Sequence, residues 1–171
     1  MNAAGRESNG ERNMYAAIWD YLDEVADPEI PVVSIVDLGI VRAVRRSAGR
    51  LEVDLAPTYS GCPATEVIEQ RVIAALAAQG VADVRVNRVL SPPWTTDWIS
   101  ESGRRKLLAY GIAPPSGSAS KRGLLSADRP LACPRCQSKS TSRVSEFGST
   151  ACKASYKCDD CLEPFEYFKC I

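Results

Sequence analysis

The spacing of hydrophobic positions changes several times along this chain, and each change marks an element. Met14, Ile18, Leu22 and Val25 recur at helical intervals, with Asn13 placed to cap the segment. Asp27-Pro28 stops it, because a residue before proline is pushed out of the α region. A strand follows around Gly39 to Arg46. The turn "SAG" folds the chain back into a second strand, Leu51 to Ala56, where Leu51, Val53 and Leu55 alternate with Glu52 and Asp54. Val67, Ile68, Val72, Ala75 and Leu76 return to helical spacing between Pro63 and Gln79-Gly80, a C-terminal stop. "ADVRVNRV" reads as a third strand with Val84 and Val86 on one face. "SPPW" breaks it, and a short helix near Glu101 to Ala109 closes the unit. This alternation predicts an α/β domain over residues 14–111: two layers, a small mixed sheet with helices.

The pattern lapses on either side. Residues 1–13 are polar and without period, and read as a disordered leader with no apolar core of a signal peptide. Residues 112–131, rich in Pro, Gly, Ser and Ala, read as a flexible linker. Residues 132–171 form a separate unit dense in cysteine.

Charge is balanced, 21 Lys+Arg against 21 Asp+Glu, which offers no basic field for a nucleic acid or an anionic membrane surface. The longest apolar run, "VIAALAA", is too short to span a bilayer, so the expectation is a cytoplasmic protein. Histidine is absent. A His general base, a Ser-His-Asp triad or a Glu-x-x-His di-iron site therefore cannot be built from this chain alone. No G-x-G-x-x-G or P-loop glycine pattern is present for a nucleotide cofactor.

Six of the seven cysteines lie in the last 40 residues. Cys133 and Cys136 form one C-x2-C pair, Cys158 and Cys161 another, with 21 residues between them. Each pair bends into a knuckle, and four thiolates then converge on one metal, zinc or iron. The separation is one residue beyond the usual range of about 15–20, which a longer hairpin absorbs. So short a unit cannot bury enough apolar surface to fold alone, so it should fold only with metal, as a zinc-ribbon-like mini-domain. Given the linker, its loss should leave the α/β domain intact. Disulfides are the alternative, disfavoured by a cytoplasmic setting. Cys152 and Cys170 stay open between spare buried thiols, alternative ligands and donors to a transient second metal. Phe147, Tyr156, Phe165, Tyr167 and Phe168 read as the mini-core behind the knuckles.

The seventh cysteine, Cys62, stands between Gly61 and Pro63 where strand becomes helix. With Pro63 at the first helical position, Cys62 falls on the N-cap, where unpaired N–H groups and the helix dipole favour thiolate. A pKa below the free value of about 8.5 follows from that placement. A small buried apolar residue is the other reading.

Taken in order, "DPEIPVVSIVDLGIV", "PTYSGCPA" and "SPPWT" resemble the iron–sulfur assembly (SUF-T and MIP-eighteen-like) domain family. The tail "CPRC…CDDCLEPFEYFKC" is similar to one branch of it, the D subunit of bacterial phenylacetyl-CoA epoxidase systems. The resemblance implies that Cys62 and Thr58 belong to a metal- or cluster-transfer site, that Asp27, Pro28 and Glu29 shape the loop beside it, and that Pro93 and Trp94 end the third strand. It implies an accessory role without catalysis: assembly or delivery of an iron–sulfur or di-iron centre. The partners would be the oxygenase and reductase subunits and the iron–sulfur assembly machinery. Two alternatives stand beside it: a structural subunit of the complex, and an electron-transfer protein with iron in the four-cysteine site.

Overall fold

The computed structural model describes residues 9–59, 61–115 and 131–169, with side chains from Tyr15 onward. Helix α1 (Asn9–Asp23) starts four residues before the expected cap at Asn13 and ends four before Asp27. The polar "NGERN" segment contains competent helix formers, so the helix extends beyond its apolar stripe. Ile18, Leu22 and Val25 of that stripe are buried. Strand β1 (Val41–Ser47) pairs antiparallel with β2 (Arg50–Leu55) as a hairpin. Its turn holds Ala48 and Gly49 at φ 50° and 82°, the left-handed pair that matches strand twist in a two-residue hairpin.

Helix α2 (Ala64–Ala78) carries the chain over to β3 (Val84–Arg88), which pairs parallel with β2 and gives the sheet order β1-β2-β3. Ile68, Val72 and Leu76 of α2 are buried, whereas Val67, expected on the same face, is exposed. Helix α3 (Glu101–Tyr110) begins at Ser100, whose hydroxyl accepts the Gly103 N–H. The loop between α1 and β1 is locked by Asp37. Its carboxylate accepts from Ser34 N–H, Ser100 Oγ and Lys106. Gly39 sits at φ 66° against Trp98, where a Cβ would lie 2.4 Å from the Trp98 carbonyl oxygen, so only glycine fits.

The C-terminal sheet is built from β5 (Thr141–Ser145), β6 (Lys153–Cys158) and β7 (Pro164–Phe168), antiparallel in sequence. A two-residue strand, β4 (Ile112–Ala113), joins it parallel to β7, giving the order β4-β7-β6-β5. The first unit therefore donates a strand to the ribbon immediately after α3. The ribbon in turn donates Phe168 and Cys152 to the main core. Phe168 is 1 % exposed and packs its ring 6.0 Å from that of Trp94. Expected independence of the two units is thus corrected: Phe168 and Cys152 of the ribbon pack in the main core, beside a smaller cluster of Ala113, Leu131, Cys133, Cys158 and Phe165 behind the knuckles. The aromatic mini-core is also redistributed. Tyr156, Phe165 and Tyr167 cluster behind the knuckles, Phe168 crosses to the other unit, and Phe147 is exposed. Residues 1–8, most of the linker and Cys170 lie outside the described residues.

Candidate functional site

The two C-x2-C pairs meet as their spacing predicts. The ligand atoms of Cys133, Cys136, Cys158 and Cys161 all lie within 4.8 Å of one another. Cys133 and Cys161 sulfurs are 3.8 Å apart, and those of Cys136 and Cys158 are 3.5 Å apart. A tetrahedron of Zn–S bonds near 2.3 Å sets sulfurs about 3.8 Å apart, so the donor set fits a four-thiolate ion. Cys133 and Cys158 are fully buried on the Leu131–Phe165 cluster. The Cys161 N–H points at Cys158 Sγ (3.5 Å) and leads the influences that pull the Cys158 thiol down to about 7. An amide aimed at sulfur stabilises thiolate as metal would find it.

A second site lies where the ribbon meets the α/β unit. Asp27, Glu29, Thr58, Cys62 and Cys152 line one pocket, floored by Ile30, Leu38, Ile40, Ile68 and Phe168, with about 20 Å³ of free space. That is room for a single water-sized guest. The loop after α1 supplies the carboxylates, the β2–α2 turn supplies Thr58 and Cys62, and the turn before β6 supplies Cys152. Asp27 is 6 % exposed, and its Oδ1 accepts the N–H groups of Glu29 (2.9 Å) and Ile30 (2.8 Å). Burial pushes the Asp27 carboxyl up despite those amides. Glu29 is raised too, by burial and then by the charge of Asp27.

Cys62 departs in part from its expected setting. Helix α2 is bounded at Ala64, and Pro63 occupies the cap with helical φ −67° and ψ −23°. The Ala64 N–H still pulls the Cys62 thiol down from the start of the helix. The thiol pKa nonetheless moves opposite to expectation. Burial pushes the thiol up and the Glu29 and Asp27 charges add to that, outweighing Ala64 N–H and the Thr65 hydroxyl. A dipole argument made from the helix alone could not see two carboxylates brought in from another loop.

Trp94 stands behind the pocket as a core anchor, its Nε1–H donating to the Leu38 carbonyl (2.9 Å). Pro93 is exposed and lines none of it. Sequence reasoning missed Lys153, which is 3 % exposed and ion-paired to Glu166 at 2.8 Å. Its charge opposes the rise at Asp27, Glu29 and Cys152. Sequence reasoning also left Cys152 unplaced, since nothing local links it to Cys62.

Comparison with known proteins bears on both sites. Residues 117–169 match the PaaD zinc beta ribbon domain, and residues 15–89 match the iron–sulfur cluster assembly protein family. The putative D subunit of the 1,2-phenylacetyl-CoA epoxidase of Escherichia coli (strain K12) is 49 % identical over 90 % of this chain and 92 % of its own. This chain belongs to the epoxidase D-subunit family. The Fe-S protein maturation auxiliary factor YitW of Bacillus subtilis (strain 168) is 38 % identical over 53 % of this chain and 87 % of its own. A crystallised domain of unknown function from Bacillus anthracis superposes with TM-score 0.52 at 28 % identity, covering 56 % of this chain and 92 % of that one. This chain thus combines a segment that matches iron–sulfur assembly proteins, which carries Asp27, Glu29, Thr58 and Cys62, with a ribbon that carries the four-cysteine cluster and Cys152. Among the described residues no helix is long and apolar enough to cross a membrane.

Proposed function

We propose that this chain is an accessory protein of a phenylacetyl-CoA epoxidase system, without catalysis of its own, that helps load an iron–sulfur or di-iron centre into the oxygenase or reductase subunits. Iron or cluster is its cargo, received from the assembly machinery: a single ion fits the Cys62 pocket, and a cluster would be held at its mouth. The ribbon's four thiolates hold zinc as a structural ion, and the work belongs to the cytoplasm. The observation that carries this reading is the pocket itself. It gathers Cys62, Asp27 and Glu29 on the domain that matches iron–sulfur assembly proteins. Thiol beside carboxylate in a small, partly open site offers ligands without completing a coordination shell, which suits hand-over rather than storage. Maturation factors among the relatives lend support.

The test is the iron content of the client subunits purified from cells carrying wild-type or Cys62→Ser protein. Iron-deficient clients beside a stable variant are expected. Fully loaded clients would leave the structural-subunit reading in its place. That second reading draws on one feature, the exposed Val144, Phe147 and Leu162 side chains of the ribbon, each more than 60 % accessible.

A further inference from the structure

Cys152 has no part in the four-thiolate cluster, yet it reaches the Cys62 pocket from 90 residues away in sequence. It is 4 % exposed, and the Thr150 hydroxyl, 3.1 Å from its sulfur, is its side-chain partner. Glu29 lies within electrostatic reach of both sulfurs, and Tyr59 feels the charge of both. Two soft donors therefore face one small cavity from two different parts of the chain.

Both amides that meet Asp27 go to Oδ1, and no hydrogen bond to Oδ2 is made among the described residues, which leaves that oxygen for water or an ion. No hydrogen bond or ion pair is made by the Glu29 carboxylate there either, and Lys153 already spends its charge on Glu166 at 2.8 Å. Glu29 also lines a second, wider cleft of about 360 Å³ between the units, together with Lys153, Glu166, Tyr110 and Ser149. That cleft gives an approach from solvent, with Glu29 between cleft and pocket.

We infer that Cys62 and Cys152, which line the pocket without converging as the knuckle sulfurs do, close on one soft divalent cation as a two-thiolate site with Asp27 and Glu29 as its oxygen donors, so that the ribbon supplies half of the sulfur ligation. This rests on the maturation reading and adds to it that the transfer site exists only when ribbon and α/β unit are docked. Binding displaces one proton from each thiol to solvent and changes no oxidation state. Two thiolates with carboxylate oxygens suit ferrous iron and its spectroscopic substitute, cobaltous ion.

The test uses the full chain with zinc in its ribbon, titrated anaerobically with cobalt chloride while released zinc is counted. Thiolate-to-cobalt absorption should grow without zinc release. Cys62→Ser and Cys152→Ser should each lose about half of it, one of two sulfur ligands, and the double variant all of it. Cys152→Ala, which introduces no buried hydroxyl, repeats the measurement should the serine variant fold poorly. Full intensity in a folded, zinc-retaining Cys152 variant would overturn the inference, as would the absence of any absorption in the wild type. Client iron content separates the two proposals. Deficient clients from Cys62→Ser cells beside a Cys152-independent cobalt signal leave maturation standing and remove the second thiolate. Cobalt absorption that needs both thiols establishes the site even where clients remain loaded.

Discussion

The chain carries two cysteine sites, and they differ in how complete they are. At the knuckles, four sulfurs lie within 4.8 Å of one another, backed by buried Cys133 and Cys158. At the interface pocket, two sulfurs and two carboxylates line a space of about 20 Å³ without converging to that degree. A closed set of four identical ligands holds its ion and turns binding energy into folding energy. A mixed and incomplete set binds less firmly and leaves positions open for a donor or acceptor protein. On the function proposed above, completeness is what would separate a structural role at the knuckles from a transport role at the pocket.

Stripping the ribbon of metal is the strongest perturbation of that contrast. Structural zinc in such units contributes about 10–16 kcal/mol of apparent binding energy, so chelation or Cys133→Ser should unfold β5 to β7. Because Phe168 and Cys152 belong to the main core, the α/β unit should also weaken. Losing contacts worth about 3–5 kcal/mol, at about 2–4 °C each, lowers its melting temperature by roughly 6–20 °C in a circular dichroism melt. An unchanged melt would mean that the two units are independent after all.

Phe168→Ala addresses the coupling without touching the metal. Removal of this buried ring should cost about 3–5 kcal/mol in denaturant unfolding followed by tryptophan fluorescence, while zinc stays bound. Zinc loss on this substitution would show instead that the four-cysteine site depends on the shared core.

Much of this architecture can be read in the sequence, and the remainder fails for one reason. The β2–α2–β3 unit follows from local period, and the four-cysteine site from spacing, because both are encoded by neighbours in the chain. Asp27, Glu29, Thr58 and Cys62 could be grouped through the motifs "DPE" and "TYSGCP", which lie in one family pattern. Cys152, Lys153 and Phe168 could not. Their place is set when β4 pairs with β7 and the ribbon docks, an arrangement without local periodicity. The same blindness inverted the expected pKa of Cys62, which is raised first by its burial in the folded chain and then by carboxylates from another loop.

Smaller changes probe the pocket alone. Cys62→Ser should alter stability by about 1 kcal/mol or less, because serine is a favoured residue just before a helix and can accept from its first N–H groups. Denaturation midpoints of the two proteins check it, and a larger loss would mark Cys62 as a packing residue.

Asp27→Asn should have the least effect on stability, and its sign depends on pH. The folded-state pKa of Asp27 is raised above 3.8, so its contribution is fully present below the unfolded value and is lost as pH rises through the folded one. Asparagine keeps an oxygen for both amides and escapes that loss. The stability difference should therefore move in favour of the variant as pH climbs from about 3.8 toward neutrality. Denaturant midpoints across that interval test it. A difference that moved the other way would mean that Asp27 is held ionised by a partner. Asp37, lowered by its contacts with Lys106 and Ser100 against the opposing effect of burial, should behave oppositely and lose its contribution in acid.

The division of labour between the two cysteine sites is tested most directly by where iron goes. Zinc-loaded protein is incubated anaerobically with ferrous iron, then exposed to a competing chelator, with both metals counted and the visible spectrum recorded. The account predicts about one iron per chain that the chelator removes while zinc remains, iron that the chelator removes more readily from Cys62→Ser protein, and none in the Cys62→Ser, Cys152→Ser double variant. Iron that displaces zinc, resists the chelator and gives the colour of an iron tetrathiolate would contradict it, and would place the chemistry at the knuckles.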